Sequence, residues 1–157
     1  MSLSVFNKNL YSFIIVIFTF GFDRITKNKI IENQLNDNRI FVNDYLNLEL
    51  VWNTGIGFGL LNLEPNIYYH LISLLIFIII FFLGYLSVKA NLFEKTCFSL
   101  ILGGAIGNFY DRIFYFGVPD FIDFHYEEFH WFTFNIADIF ITLGVFVIIL
   151  KECFYKK

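Results

Sequence analysis

The chain has 157 residues, of which 57% are hydrophobic, 22% aromatic and only 16% charged, with a formal charge of −3. A soluble domain carries about 25% charged residues, so this composition and a mean hydropathy of +0.64 exclude an ordinary soluble fold. The length suits one domain, no nucleic-acid partner is expected, and Cys97 and Cys153 form neither a ligand set nor a disulfide framework.

Four apolar segments predict an all-α polytopic membrane protein with four transmembrane helices and a small extracytoplasmic β-sheet domain. The spans are expected at about 6–24, 67–88, 95–112 and 129–150 of a single domain. The first lacks a small-residue cleavage site and runs into Asp23-Arg24-Ile25-Thr26-Lys27, so it reads as a retained span rather than a signal peptide. Residues 28–66 follow as a β-rich insertion. Within it Phe41 to Trp52 is rich in strand formers, and Asn47-Leu48-Glu49-Leu50 alternates like a half-buried strand. Asn53-Thr54-Gly55-Ile56-Gly57-Phe58-Gly59 is turn-rich, and its glycine spacing does not suit a dinucleotide loop. The second span, Ile67 to Val88, has 22 residues without a charge. After the third comes an aromatic, acidic loop, Ile113 to His130, punctuated by Gly117 and Pro119. The fourth span is expected to carry Asn135 and Asp138 within it, with Asp138 two to three turns from its outer end.

Four spans place both termini on one side. With the termini inside, that side holds Lys8, Lys89, Lys95, Lys151, Lys156 and Lys157, whereas the other side collects most of the acids and five basic residues. The bias of Lys and Arg toward the cytoplasm therefore favours cytoplasmic termini and two loop regions at the outer face.

An ionisable residue inside a span marks function by default, and Asp138 is the clearest case. Gly104, Asn108 and Arg112 recur at intervals of four on the third helix, with Asp111 close to that face, and Gly103 to Gly107 lets a neighbouring helix approach. Asp120, in the loop after Pro119, can meet Asp138 at the membrane surface. Two such carboxylates share one proton and can activate a water, the chemistry of aspartic proteases. Two readings compete: an ion pair between Asp138 and Arg112 that is purely structural, or a small carrier or channel component using the same two residues. Asp123 is an alternative partner to Asp120. Asp23 and Lys27, one turn apart, read either as an intrahelical pair or as groups that orient a loop or substrate. His125, Glu127, Glu128 and His130 lack the register of a zinc-peptidase helix, so no metal site is expected there.

Taken together, these residues resemble the bacterial lipoprotein signal peptidases, or signal peptidase II. The resemblance rests on Asp23 and Lys27, on Asn53-Thr54-Gly55, and on Gly103-Gly104-Ala105-Ile106-Gly107-Asn108-Phe109-Tyr110-Asp111-Arg112. It continues with Val118-Pro119-Asp120-Phe121 and Phe134-Asn135-Ile136-Ala137-Asp138, five blocks in order over nearly the whole chain. It implies a monomeric inner-membrane enzyme that removes the signal peptide of a diacylglyceryl-modified prolipoprotein just before the lipidated cysteine. It also implies catalytic Asp120 and Asp138, supporting Asn53, Asn108, Arg112, Asn135, Asp23 and Lys27, no metal or organic cofactor, and inhibition by globomycin. On this reading the Gly104 face is expected to receive the signal helix from the lipid. Ile56 and Gly57 stand where the family commonly has two alanines, and Pro119 replaces a hydrophobic residue.

Overall fold

A computed structural model describes residues 4–33, 39–55 and 67–154. In chain order these form α1 (Val5–Asn33), β1 (Ile40–Asn43), β2 (Leu46–Asn53), α2 (Ile67–Lys89), α3 (Leu92–Phe114), β3 (Val118–Tyr126), β4 (Phe129–His130) and α4 (Ile136–Phe154). Gly57, Lys156 and Lys157 lie outside the described residues.

The helices are inverted relative to a water-soluble bundle. The buried stripe of α1 is Ser12, Thr19, Asp23, Lys27 and Ile30, and that of α2 is Tyr69, Ser73 and Ser87. Meanwhile Phe6, Phe13, Phe18, Leu71, Phe81 and Phe82 point outward. Polar residues inside and large apolar ones outside are stable only where the surrounding solvent is hydrocarbon. Among the described residues α1 and α2 have the length and apolarity to cross a membrane, with mean hydropathies of 1.4 and 2.8 over their most apolar stretches. The third helix packs against all three others. It carries Glu94, Lys95, Asp111 and Arg112 at its two ends, and Asn91 caps its start by accepting a hydrogen bond from the Glu94 N–H at 3.1 Å.

The ends of the helices opposite the sheet are tied by Lys95. Its ammonium reaches the Asn9 amide oxygen at 2.9 Å and the carbonyls of Ser87 and Val88 at 2.5 and 3.2 Å, closing the C-terminus of α2. Ser12 and Ser99 join α1 to α3 by a 2.6 Å hydrogen bond, and Lys151 of α4 pairs with Glu94. These contacts set the four helices in an up-and-down order with the sheet at one end.

The sheet has four antiparallel strands in the order β1-β2-β3-β4. It therefore extends beyond the expected 28–66 insertion, whose described residues supply β1 and β2. The segment expected as a loop after α3 supplies β3, whose Asp120 lies opposite Val51 and whose Pro119 lies opposite Trp52. Two span boundaries are also corrected. The first helix runs on to Asn33 because Lys27 and Ile30 remain buried against its neighbours. At about 1.5 Å per residue its 29 residues measure about 43 Å, well beyond a hydrocarbon core of about 30 Å. The fourth helix starts at Ile136 rather than near Phe129. Phe129 and His130 pair with Tyr126 and His125, and the Phe134 carbonyl accepts from the N–H groups of Phe121 and Ile122 at 3.0 and 2.8 Å. Strand pairing thus holds the chain extended until Asn135.

Candidate active site

The late start of α4 moves Asp138 from mid-span to the third position of the helix. Asn135 is the cap: its Oδ1 accepts from the Asp138 N–H at 3.2 Å, and the Asp138 Oδ2 accepts from the Asn135 N–H at 3.1 Å. This reciprocal capping box satisfies a free N–H at the helix start and fixes the Asp138 rotamer. The next exposed donor of α4, the Ala137 N–H, bonds to Asp23 Oδ1 of α1 at 3.1 Å.

Three asparagine amides converge on the two carboxylates, and each is oriented by a group that can only play one part. Because Asn135 Oδ1 faces a backbone N–H, its Nδ2 faces Asp120 Oδ1, at 2.5 Å. Asn53 Oδ1 accepts from the Gly55 N–H at 2.9 Å, which turns its Nδ2 toward Asp120 Oδ2 at 2.8 Å. Asn108 Oδ1 accepts from the Lys27 ammonium at 2.7 Å, leaving its Nδ2 to Asp138 Oδ1 at 2.8 Å. An ammonium only donates, so this amide has one possible orientation. All four carboxylate oxygens thus meet neutral N–H donors. Neither carboxylate has a salt bridge among the described residues.

Asp120 is 3% exposed. Burial, and then the nearby charge of Asp138, push its carboxyl from 3.8 up to about 7, while the amides of Asn53 and Asn135 pull the other way. Asp138 is only half-buried and opens onto a groove of about 410 Å³ lined by Phe132, Phe134, Ile139, Thr142, Leu143 and Phe146. Asp138, Thr142 and Phe146 recur every four residues along α4, so one polar atom pair faces an otherwise apolar trough.

Asp23 and Lys27 belong to a larger unit than an intrahelical pair. The Lys27 ammonium is 2.9 Å from Asp23 Oδ2 and 2.7 Å from Asp111 Oδ2, and Arg24 lies 2.6 Å from Asp111 Oδ1. Asp23, Lys27 and Asp111 are fully buried. Two acids and two bases cancel in charge, as burial requires. Asp111 was not among the expected site residues, though its place one turn before Tyr115 and beside Asn108 on α3 was visible in the sequence.

Arg112 sits elsewhere. Its guanidinium donates to the Gly55 carbonyl and lies 5.8 Å from the Tyr69 ring, and it forms no ion pair with Asp138. Its Nη1 is buried without a hydrogen-bond partner among the described residues. The Asp138–Arg112 ion pair of the purely structural reading is therefore not formed. Asp123 is likewise not the partner of Asp138: it is held by Arg39 at 3.2 Å and His130 at 2.9 Å.

Gly104 does not offer a docking face for a signal helix. A Cβ there would lie 2.5 Å from the Ala137 carbonyl oxygen and 2.9 Å from the Ile141 side chain, and one at Gly107 would lie 2.5 Å from Asp23 Oδ2. The small-residue stripe is already filled by α4 and α1. It lets α1 and α4 come close enough for Asp23 to accept from the Ala137 N–H and for Asn108 to donate to Asp138.

Residues 15–154 match the family described as signal peptidase (SPase) II. The lipoprotein signal peptidase of Pelagibacter ubique (strain HTCC1062) is 46% identical over 156 residues, covering 96% of this chain and 92% of that protein. The lipoprotein signal peptidase of Francisella tularensis subsp. novicida is 43% identical over 123 residues, 74% of each chain. A bacterial membrane enzyme solved by the in meso method at 2.3 Å resolution superposes with a TM-score of 0.77 and 32% identity, covering 94% of this chain and 92% of that one. On the sequence match across most of its length and on this shared fold, the chain belongs to the signal peptidase II family of membrane peptidases.

Proposed function

We propose that the protein hydrolyses the peptide bond just before the lipidated cysteine of diacylglyceryl-modified prolipoproteins, with Asp120 and Asp138 as an aspartic dyad. The observation that carries this reading is the set of three fixed asparagine amides holding two carboxylates together without a cation. A buried pair so arranged shares one proton. The Asp120 carboxyl, raised to about 7 by burial and by the charge of Asp138 beside it, fits such sharing. Asp138, the member open to the groove, takes a proton from water as its oxygen attacks the scissile carbonyl. Asp120 hydrogen-bonds the carbonyl oxygen as it gains charge. Collapse of the tetrahedral intermediate breaks the C–N bond, and the leaving amine receives a proton from the dyad. The apolar trough along Phe134, Ile139, Thr142 and Phe146 suits the end of a signal helix. Arg112 Nη1, buried beside Gly55, supplies a donor for a substrate carbonyl.

The same reading makes all four helices membrane spans of a multi-pass inner-membrane protein, both termini cytoplasmic and the sheet at the outer face. The lipidated cysteine then lies at the interface while its signal helix stays in lipid. Membrane lipid is its surroundings, a monomer suffices for the site, and globomycin-type peptides are its inhibitors.

The test is cleavage of a synthetic diacylglyceryl-modified prolipoprotein by the purified protein, beside Asp120→Asn and Asp138→Asn. Cleavage before the lipidated cysteine that is lost in both folded variants supports the dyad. Cleavage that survives either substitution removes that residue from it.

A further inference from the structure

The β3–β4 hairpin brings together three metal-binding side chains that no helical register in the sequence foretells. Side chains two apart on a strand share a face, so Asp123 and His125 point the same way. Antiparallel pairing sets His130 directly opposite His125. The two imidazoles stack with centroids 5.2 Å apart and planes 15° from parallel.

We propose that Asp123, His125 and His130 bind a divalent transition-metal ion, with Zn²⁺ the first candidate. One ligand atom from each residue lies within 4.8 Å of the others. His130 Nδ1 is 2.9 Å and His125 Nδ1 4.0 Å from Asp123 Oδ2. A tetrahedral zinc with bonds of about 2.0–2.1 Å sets its donors about 3.3 Å apart, a spacing these two separations bracket. Two imidazoles and a carboxylate form a donor set suited to zinc that leaves a fourth position for water. His130 is 43% exposed on its side chain, so an ion can enter from solvent.

The surroundings fit a second layer. Asn47 is 2% exposed, and its amide meets the His125 ring at 3.0 Å. With its oxygen turned toward them it accepts from the Arg39 guanidinium and from the His125 Nε2–H at 3.3 Å, the tautomer that leaves Nδ1 its lone pair for the ion. Arg39 is the competitor, pairing with Asp123 at 3.2 Å and with Glu49 at 3.4 Å, and its side chain is 45% exposed. It can keep Glu49 and surrender Asp123 to the ion. Asp123 is three residues from Asp120 along β3, roughly 10 Å, and alternation puts it on the other face. The ion therefore clips the hairpin that carries Asp120 and takes no part in hydrolysis.

The experiment is calorimetric titration of Zn²⁺ into the full-length, tag-free protein in detergent after chelator treatment. One saturable site, filled by a single ion per chain, is expected at about pH 7.5. His130→Ala, at an exposed position, should weaken it at least tenfold, as should Asp123→Asn. Circular dichroism checks that each variant is folded, and bound Zn²⁺ should raise the unfolding temperature of the wild type but not of His130→Ala. Absence of a saturable site, or a site unchanged in His130→Ala, overturns the proposal.

Discussion

Replacing Asp120 with Asn should abolish turnover and yet stabilise the protein above neutral pH. The carboxyl is raised from 3.8 to about 7, so between those values the native state keeps a proton that the unfolded chain has lost. Wild-type stability then falls as pH rises through this window and levels off above about 7. Each tenfold step in proton affinity is about 1.4 kcal/mol, so the full loss is about 4 kcal/mol. Asn has no such term. It does, however, offer one acceptor where Asp120 offers two, and both Asn53 and Asn135 present N–H groups there. One of these donors is left unpaired, at a cost of about 1–3 kcal/mol. The variant should therefore be less stable than wild type at about pH 4.5 and more stable by about 1–3 kcal/mol at about pH 8. At about 2–4 °C per kcal/mol, the difference in unfolding temperature should swing by roughly 10 °C between those conditions. The two tryptophans, Trp52 on β2 and Trp131 after β4, report on the sheet that carries Asp120, so their fluorescence during thermal unfolding in detergent is the assay. A difference between variant and wild type that does not change with pH would refute the buried, proton-holding Asp120.

The pH dependence of cleavage should be bell-shaped, its alkaline limb near pH 7 in the free enzyme where Asp120 loses its proton; steady-state kcat/KM across pH reads this directly. Gly104→Ala should lower the unfolding temperature and the activity together, because a Cβ at 2.5 Å from the Ala137 carbonyl pushes away the helix start that carries Asp138; overpacking of this kind costs about 1–3 kcal/mol. Lys27→Met should destabilise by about 3–5 kcal/mol, since Asp23 and Asp111 lose one of the two cations they share and keep only the partly exposed Arg24. The residual folded enzyme should turn over more slowly because Asn108 is free to rotate; thermal unfolding and kcat of the soluble fraction separate the two effects. Glu127→Gly should raise the unfolding temperature slightly, relieving a φ of 52° at the first turn residue of the hairpin, worth about 1 kcal/mol.

The sequence by itself determined in what solvent the fold lives and that its polar residues turn inward. Long apolar runs interrupted by Asp23, Asn108 and Asp138 already require a bundle with polar groups turned inward, because hydrocarbon leaves them no other partner. The alternation at 47–50 likewise announced β2, since one face of that strand is half-buried whatever it packs on. The depth of Asp138 was not legible. Phe129 to Phe134 is aromatic enough to read as the start of a span, and pairing with β3 keeps it extended and delays α4 until the Asn135 cap. The role of Gly104 was hidden for a related reason: small residues announce close approach without naming what approaches, and here it is α4 rather than a substrate. Asp111 and the hairpin cluster of Asp123, His125 and His130 also needed the fold, because their partners lie on other elements or across a strand register. Periodicity is a property of one segment, whereas these contacts depend on how segments are set against each other, and only tertiary packing decides that.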